Sequence, residues 1–188
     1  MAYTTIDDPS AYFNIVLYTG NGSTQSITGV GFEPDWVWIK SRGDTSWHRS
    51  LDSSRGATKE LYQNETNAEN TEAAGLTSFD SDGFSLGSNA GYNGNTVTFV
   101  AWNWVANGGT RTTNTESGNN PAGGYQANTT AGFSIVDYTG TGATGTKTHG
   151  LGAVPHLIII KNRETVGSWL VYHHKNTASP ETDILEFD

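Results

Sequence analysis

The chain has 188 residues, a formal net charge of −9, 35% hydrophobic and 11% aromatic residues, and no cysteine. This apolar content can fill a core, which argues against a chain disordered throughout, and the absence of cysteine excludes disulfides and thiolate metal sites. The acidic charge would repel a polyanion, so nucleic acid is not an expected partner. The 23 glycines, together with abundant Thr, Ser and Asn, predict short strands joined by tight turns and no substantial helix.

Strand signals, namely β-branched and aromatic residues bounded by Gly, Asn, Asp or Pro, occur along the whole chain. The segments 34–40 and 154–161 are apolar on both faces, which is typical of central strands. Pro34 and Pro155 stand at the beginning of these strands, where a missing N–H does little harm. Strands are predicted at 13–18, 34–40, 83–87, 95–105, 133–138 and 154–161.

A tight turn is predicted at residues 79–84, with Gly83 in the left-handed position. Asp80 and Asp82 alternate there as they do at the opening of a calcium loop. The later ligands and the closing glutamate of an EF-hand are missing, so a turn is the favoured interpretation and no metal is expected. If a metal did bind this segment, Asp80 and Asp82, with Asn89 or Asn95 nearby, are its candidate ligands.

Part of the sequence occurs twice, about 120 residues apart. Residues 13–22 recur as 133–142 and, after a one-residue insertion, residues 29–42 recur as 150–163. Glycines, a proline and a Lys-x-Arg ending keep their places, while apolar strand residues exchange among Trp, Leu, Val and Ile. Copies of one fold are expected to differ in this way, because backbone positions that determine shape tolerate less change than core fillers.

The repeat length predicts whole domains rather than solenoid units. We expect a first β-sandwich repeat at 1–108, a linker rich in Gly, Asn and Thr at 109–124, and a partial second repeat at 125–188. The segment 76–105 of the first repeat has no counterpart in the second. The chain is therefore expected either to be a fragment of a longer repeated polypeptide or to have its last domain completed by another chain. The predicted fold class is an all-β antiparallel sandwich with meander or jelly-roll connections.

The tryptophans have two possible roles. Flat aromatic rings beside polar groups can hold sugar rings, whereas strand tryptophans more often pack in a core. Four of the six lie in strand patterns, so core packing is favoured and an exposed platform is the alternative. In the repeat alignment Trp47 falls opposite Trp169. The six residues are Trp36, Trp38, Trp47, Trp102, Trp104 and Trp169.

No catalytic constellation is present in the sequence. The five histidines share no metal-ligand spacing, and no pair of carboxylates is placed like the acid and base of a glycosidase. The Gly-x-Gly segments at 20–22 and 140–142 do not lead into a helix, so a phosphate loop is excluded. We therefore predict no enzyme, no cofactor and no catalytic residue, and no ligand-binding residue is singled out.

Residues 1–9 have neither a basic nor an apolar signal-peptide region, and the longest apolar run, 154–160, is too short to span a bilayer. We expect synthesis in a cytoplasm without a signal peptide and no insertion into a membrane.

Several motifs, which together cover most of the chain, carry a family resemblance. They are 3–10 (YTTIDDPS), 17–20 (LYTG), 34–40 (PDWVWIK), 51–56 (LDSSRG), 78–87 (SFDSDGFSLG), 100–104 (VAWNW) and 126–136 (QANTTAGFSIV). With these motifs the chain resembles a repeat domain of bacteriophage tail-fibre and virion structural proteins, related to the concanavalin A-like (lectin- and glucanase-like) sandwich class. The resemblance implies a jelly-roll sandwich located on the tail or capsid surface of a phage particle.

The function expected from this resemblance is a tail-fibre or appendage module that serves attachment to a host-surface glycan. The alternative is a purely architectural capsid-decoration or fibre-shaft subunit without a ligand, and a polysaccharide hydrolase is a third possibility. Other virion proteins and further copies of the chain are the expected partners. Exposed Trp or Tyr would favour attachment, whereas a surface of only Thr, Asn and Ser would favour architecture.

Overall fold

The chain's computed structural model describes residues 6–187. Its regular structure is almost entirely antiparallel strand, which confirms the predicted all-β fold class. The strands are β1 Phe13–Thr19, β2 Gln25–Thr28, β3 Trp36–Ser41, β4 Arg49–Asp52, β5 Lys59–Tyr62, β6 Asn70–Thr71, β7 Leu76–Asp80, β8 Gly83–Leu86, β9 Thr98–Trp104, β10 Thr112–Asn114, β11 Gly123–Asn128, β12 Phe133–Tyr138, β13 Leu157–Ile160, β14 Leu170–His173 and β15 Leu185–Glu186. A 3-10 turn, Pro9–Ala11, and a single helical turn, α1 Ala90–Asn93, complete the described elements.

The first repeat is a two-layer sandwich. One layer is a six-stranded sheet in the order β1-β9-β3-β4-β5-β6, and the other is a three-stranded sheet in the order β2-β8-β7. Side chains from both layers and from α1 form one buried apolar cluster between them, as expected for packed sheets. Its members are Ile27, Val37, Ile39, Leu51, Leu76, Phe84, Leu86, Tyr92, Phe99 and Ala101.

All six predicted strands are confirmed, with ends shifted by a few residues. The central position predicted for 34–40 is confirmed as well, because β3 pairs with β9 on one side and β4 on the other. The same prediction for 154–161 is wrong, since β13 pairs only with β14 among residues 6–187. Up to residue 187, the described second half contains no strand that corresponds to β9, so β13 lies at a sheet edge although it is apolar on both faces.

The second half of the chain forms two three-stranded sheets, β10-β11-β12 and β13-β14-β15. The predicted linker 109–124 is more ordered than expected, because it contains β10 and the start of β11. The boundary at 108/109 lies where the buried Asp35 carboxylate holds the chain. Asp35 accepts hydrogen bonds from the amides of Ala106 (2.6 Å), Gly108 (3.0 Å) and Gly109 (2.7 Å). The division into domains itself stays a prediction.

The two hairpins β3–β4 and β13–β14 have the same register. Trp36 pairs with Asp52 in the first, and their counterparts Leu157 and His173 pair in the second. This register corrects one detail of the repeat alignment, because it places Trp169 opposite His48 and not opposite Trp47. The tandem repeat remains a prediction, with which the registers agree.

The two halves are joined by a carboxylate and two guanidinium groups. Glu69 accepts hydrogen bonds from Arg163 Nε at 2.8 Å and Nη2 at 2.9 Å, and from Arg55 Nη1 at 3.0 Å. Beside this group, Trp169 Nε1 donates to the Tyr62 carbonyl at 2.7 Å. Burial raises the pKa of Glu69, but hydrogen bonds from Arg163 and Arg55 outweigh it and hold the pKa below its ordinary 4.5.

This lowered pKa predicts a pH-dependent contribution of Glu69 to stability. The ionised carboxylate stabilises the folded chain above pH 4.5, and this contribution is lost as the pH falls from 4.5 through the lowered value. The difference in Tm between the protein and Glu69→Gln should therefore be largest near neutral pH and shrink in acid. Thermal unfolding followed by circular dichroism measures it, with the exposed Glu164→Gln as control. A difference that does not change with pH contradicts the prediction.

Candidate functional site

The most unusual surface of the first repeat is the outer face of its six-stranded sheet. Side chains alternate along a strand, so Val37 and Ile39 of β3 point into the core and the tryptophans between them point outward. In strand β9, Phe99 and Ala101 likewise point into the core, and Trp102 and Trp104 point outward. The four outward residues, here called the tryptophan face, are Trp36, Trp38, Trp102 and Trp104.

The prediction that these four tryptophans pack in the core is wrong, since all of them are half-buried on the outer face. The inner face is already filled by smaller residues, among them Val37 and Ala101, packed against the β2-β8-β7 sheet. An aromatic surface of this kind outside a sandwich needs an explanation, because exposed apolar patches mark binding surfaces. Trp169 is the exception and is buried as predicted.

Cross-strand pairing holds the rings together. Trp36 lies opposite Trp104 with ring centroids 4.3 Å apart, and Trp38 lies opposite Trp102 with centroids 5.4 Å apart. Along β3, the rings of Trp36 and Trp38 are 6.1 Å apart. Indole rings in such pairs stabilise one another and are fixed by only two side-chain torsions, so the face is preorganised.

Half of the tryptophan face is covered by the chain itself. Phe133 of β12 stacks on Trp36 at 5.9 Å and lies 6.3 Å from Trp104. Phe13 covers the other side of Trp104 at 4.8 Å. This half therefore packs against β12 and the start of β1.

The other half is open. Trp38 and Trp102 continue onto β1, where Ile15 is 46% and Leu17 is 63% exposed. Sequence reasoning missed Ile15 and Leu17, although the apolar side chains of β1 outnumber those that a single core face requires. The open half is a flat apolar strip bordered by Lys40, which pairs with Val100 in the register.

Polar groups at the rim fix the rings without covering them. Trp38 Nε1 donates to His48 Nδ1 at 2.9 Å, and Trp36 Nε1 donates to Ser50 Oγ at 2.8 Å. Burial, with a smaller contribution from Lys40, lowers the pKa of His48 below 6.5, so its imidazole is neutral and accepts at neutral pH. Within the described part of the chain, the indole N–H of Trp102 has no acceptor and is available to a ligand.

Trp47 is separate from the tryptophan face. It is 43% exposed, and its ring packs 4.8 Å from that of Tyr62. Its exposure makes it a matched comparison residue for binding experiments.

Asp80 and Asp82 lie in the predicted turn, and the hairpin is confirmed by pairing of Asp80 with Gly83. Both carboxylates bind donors of the fold. Asp82 accepts from the amides of Gly29 (3.1 Å) and Gly31 (2.6 Å), which lower its pKa, and Asp80 accepts from hydroxyl groups on β7 and β8. Among residues 6–187, no three His, Asp or Glu side chains are grouped so that they could hold a metal ion.

The buried carboxylates also have structural partners. Asp35 binds backbone amides, Asp52 binds Arg55, and Glu60 binds two tyrosine hydroxyl groups. These three carboxylates are therefore bound by groups of the fold itself and do not face a cleft as a pair of catalytic acids would. Among the described helices, none has the length and apolar character needed to cross a membrane.

Comparison with known proteins gives a family and no function. No curated protein and no solved structure matches the chain. A family model described as a domain of unknown function (DUF7483) matches residues 8–188, a span that includes the tryptophan face. The chain belongs to the DUF7483 family of domains of unknown function.

Proposed function

We propose that this chain is a structural module of a phage virion, located in a tail fibre or appendage, whose tryptophan face attaches to a glycan of the host surface. The observation that carries the proposal is the open half of that face, in which Trp38 and Trp102 present ring surfaces beside exposed Ile15 and Leu17. Sugar rings present apolar C–H faces that stack on indole rings, while their hydroxyl groups need donors and acceptors at the rim.

The tryptophan face supplies a donor for such hydroxyl groups. The N–H of Trp102 is an available donor, and His48 keeps the plane of Trp38 fixed. A flat, rigid face with few polar contacts suits an extended polysaccharide better than a small molecule, which is normally enclosed in a pocket. The affinity of one such face is low, and repeated modules on a fibre would raise it through avidity. The virion location rests on the motif resemblance described above.

Alanine at Trp38 or Trp102 should weaken glycan binding by about tenfold or more, because each ring is a central contact of the face. The measurement is titration of the full chain with bacterial surface polysaccharides first selected on a glycan array. Trp47→Ala, which removes an exposed ring outside the tryptophan face, should bind like the unchanged protein. Equal losses in all three variants, or no binding to any surface glycan, contradict the proposal.

The second candidate function is purely architectural. The observation that favours it is the stacking of Phe133 on Trp36 and Trp104, since half of the face already joins parts of the chain. In this case the open half would contact another virion subunit, and glycan binding would be absent while self-association depended on Trp38 and Trp102. A hydrolase remains the least supported alternative, because the buried carboxylates are engaged by donors of the fold.

A further inference from the structure

The inner face of the second hairpin, β13–β14, lacks the cover that the first hairpin has. Val37 and Ile39 of β3 are 0% exposed, whereas their counterparts Ile158 and Ile160 of β13 are 39% and 41% exposed. On the paired strand β14, Leu170 is 39% exposed. Ile158 and Ile160 occupy positions that form the core of the first sandwich, and Leu170 pairs with Ile160, so the second hairpin exposes apolar side chains that a second layer covers in the first.

The edge of β13 beside this face is unpaired in residues 6–187. In the first hairpin the amide of Ser53 donates to the Asp35 carbonyl at 2.8 Å, and the counterpart bond from His174 to His156 measures 2.9 Å. Strand β14 therefore takes the position of β4, on the same side of its partner. The other edge of β13 corresponds to the edge of β3 that β9 occupies.

Strand β12 has an open edge of the same kind. In the first repeat the amide of Gly20 donates to the Val97 carbonyl, so Gly20 faces the β9 side and its neighbour Thr19 faces away. Thr139, the counterpart of Thr19, donates to Ala122 beside β11. Strand β11 thus pairs with the opposite edge of β12. The edge that β9 takes on β1 has no strand on β12 within the described residues.

The first repeat shows what belongs at these edges. Strand β9 lies between β1 and β3, pairs with both, and brings Phe99 and Ala101 into the core. Strand β2 pairs with β8 in the covering layer, and the corresponding segment 146–149 forms no strand. The open edges, the bare face and the missing strand all correspond to one absent unit, the segment that spans β7 to β9.

We propose that the second repeat is an acceptor site for a strand of the β9 type, which inserts between β12 and β13 and pairs with β13 beside Ile158 and Ile160. The occupant is a polypeptide segment with the alternating pattern of β9, from a further repeat outside these residues. The β9 of this chain cannot supply it, because both of its edges are already paired with β1 and β3. When a strand is added to a sheet edge in this way, backbone hydrogen bonds provide the affinity, and the alternate side chains determine the register.

A synthetic peptide with the sequence of residues 96–106, extended by terminal lysines for solubility, tests the proposal on the full chain. Hydrogen exchange followed by mass spectrometry should slow in 133–138 and 157–160 when the peptide is added. Ile158→Asp combined with Ile160→Asp should weaken peptide binding by about tenfold or more, because the charges would lie beside the apolar core-facing side chains of the new strand. Val154→Asp places a charge at an 81% exposed position before β13 and should leave binding unchanged.

A second peptide, with aspartate at the positions of Phe99 and Ala101, should not slow exchange. Three results would overturn the proposal. One is unchanged exchange at saturating peptide, and another is slowed exchange confined to the first repeat. The third is slow exchange of 157–160 in a concentration-dependent dimer without peptide, which would make a second copy of the chain the occupant.

Discussion

Replacing Gly83 by alanine is expected to destabilise the first sandwich by about 3 kcal/mol, which is a large fraction of the stability of a domain. Gly83 begins β8 with a φ of 147°, a conformation that a residue with a Cβ rarely adopts. A Cβ there would lie 2.0 Å from the carbonyl oxygen of Ile27 on the neighbouring strand β2. The β2–β8 pairing must open to admit the methyl group, and Phe84, which is fully buried, loses its position.

Denaturant unfolding followed by tryptophan fluorescence measures this effect, and hydrogen exchange should show the loss first in β2, β7 and β8. The matched control is Gly140→Ala, because an added Cβ at Gly140 meets nothing within 4 Å. Gly140→Ala should therefore unfold at the same denaturant concentration as the unchanged protein. If both alanine variants unfold together, the close approach at Gly83 is not a constraint on the fold.

Sequence patterns predicted six of the strands and missed the others, which include the apolar β14, Leu170–His173, and several short polar strands. Strand β4, Arg49–Asp52, has a single apolar side chain among Arg, Ser and Asp, so its sequence contains no strand signal. It is a strand because β3 and β5 pair with it on both sides. Its polar groups are satisfied by side chains distant in sequence, such as the Trp36 indole on Ser50. Tertiary pairing of this kind overrides local propensity.

The tryptophan face shows a different limit of sequence reasoning. Strand β3 is apolar at every position from Trp36 to Ile39. The sequence pattern therefore does not show which of these side chains point into the core and which point outward. The direction is decided by the β2-β8-β7 sheet, which packs on the smaller residues Val37 and Ile39. General burial tendencies predicted that the large tryptophans lie in the core. In the structure, their smaller strand neighbours Val37, Ile39 and Ala101 pack between the sheets instead. His48 lies beside the tryptophan face because it accepts a hydrogen bond from the Trp38 indole, a contact that the spacing of the two residues in the sequence does not predict.

Two strands of this chain, β3 and β13, are apolar on both faces but occupy different positions in their sheets. For β3 it accompanies a central strand with one buried and one half-buried face. For β13 it accompanies an edge strand, three of whose four residues are exposed. The two strands have the same apolar pattern. They differ because β3 has β9 as a neighbour, whereas β13 has no neighbour of that type among the described residues. The inferred acceptor site follows from this contrast.

Replacing Glu60 by alanine is expected to cost about 4 kcal/mol, because it removes one partner of a buried charge pair. Glu60 is 2% exposed, and its carboxylate accepts from the hydroxyl groups of Tyr62 and Tyr92, each at 2.5 Å. Its partner in charge is Arg49, whose Nη1 lies 3.9 Å from Oε2 and whose guanidinium stacks over Tyr92 at 4.7 Å. Burial and the Glu60 hydrogen bond together raise the pKa of Tyr62 to about 12, so both hydroxyl donors stay protonated at neutral pH.

Chemical denaturation of three variants separates the charge from the packing. Glu60→Gln keeps the shape and most of the hydrogen bonds but leaves Arg49 without a counter-charge, so its loss should be large and smaller than that of Glu60→Ala. Combining Glu60→Leu with Arg49→Met removes both charges and should recover much of the stability, since well-packed apolar residues can replace a buried ion pair. If the double variant is less stable than Glu60→Ala, the tyrosine hydrogen bonds, rather than the unpaired Arg49, account for the cost.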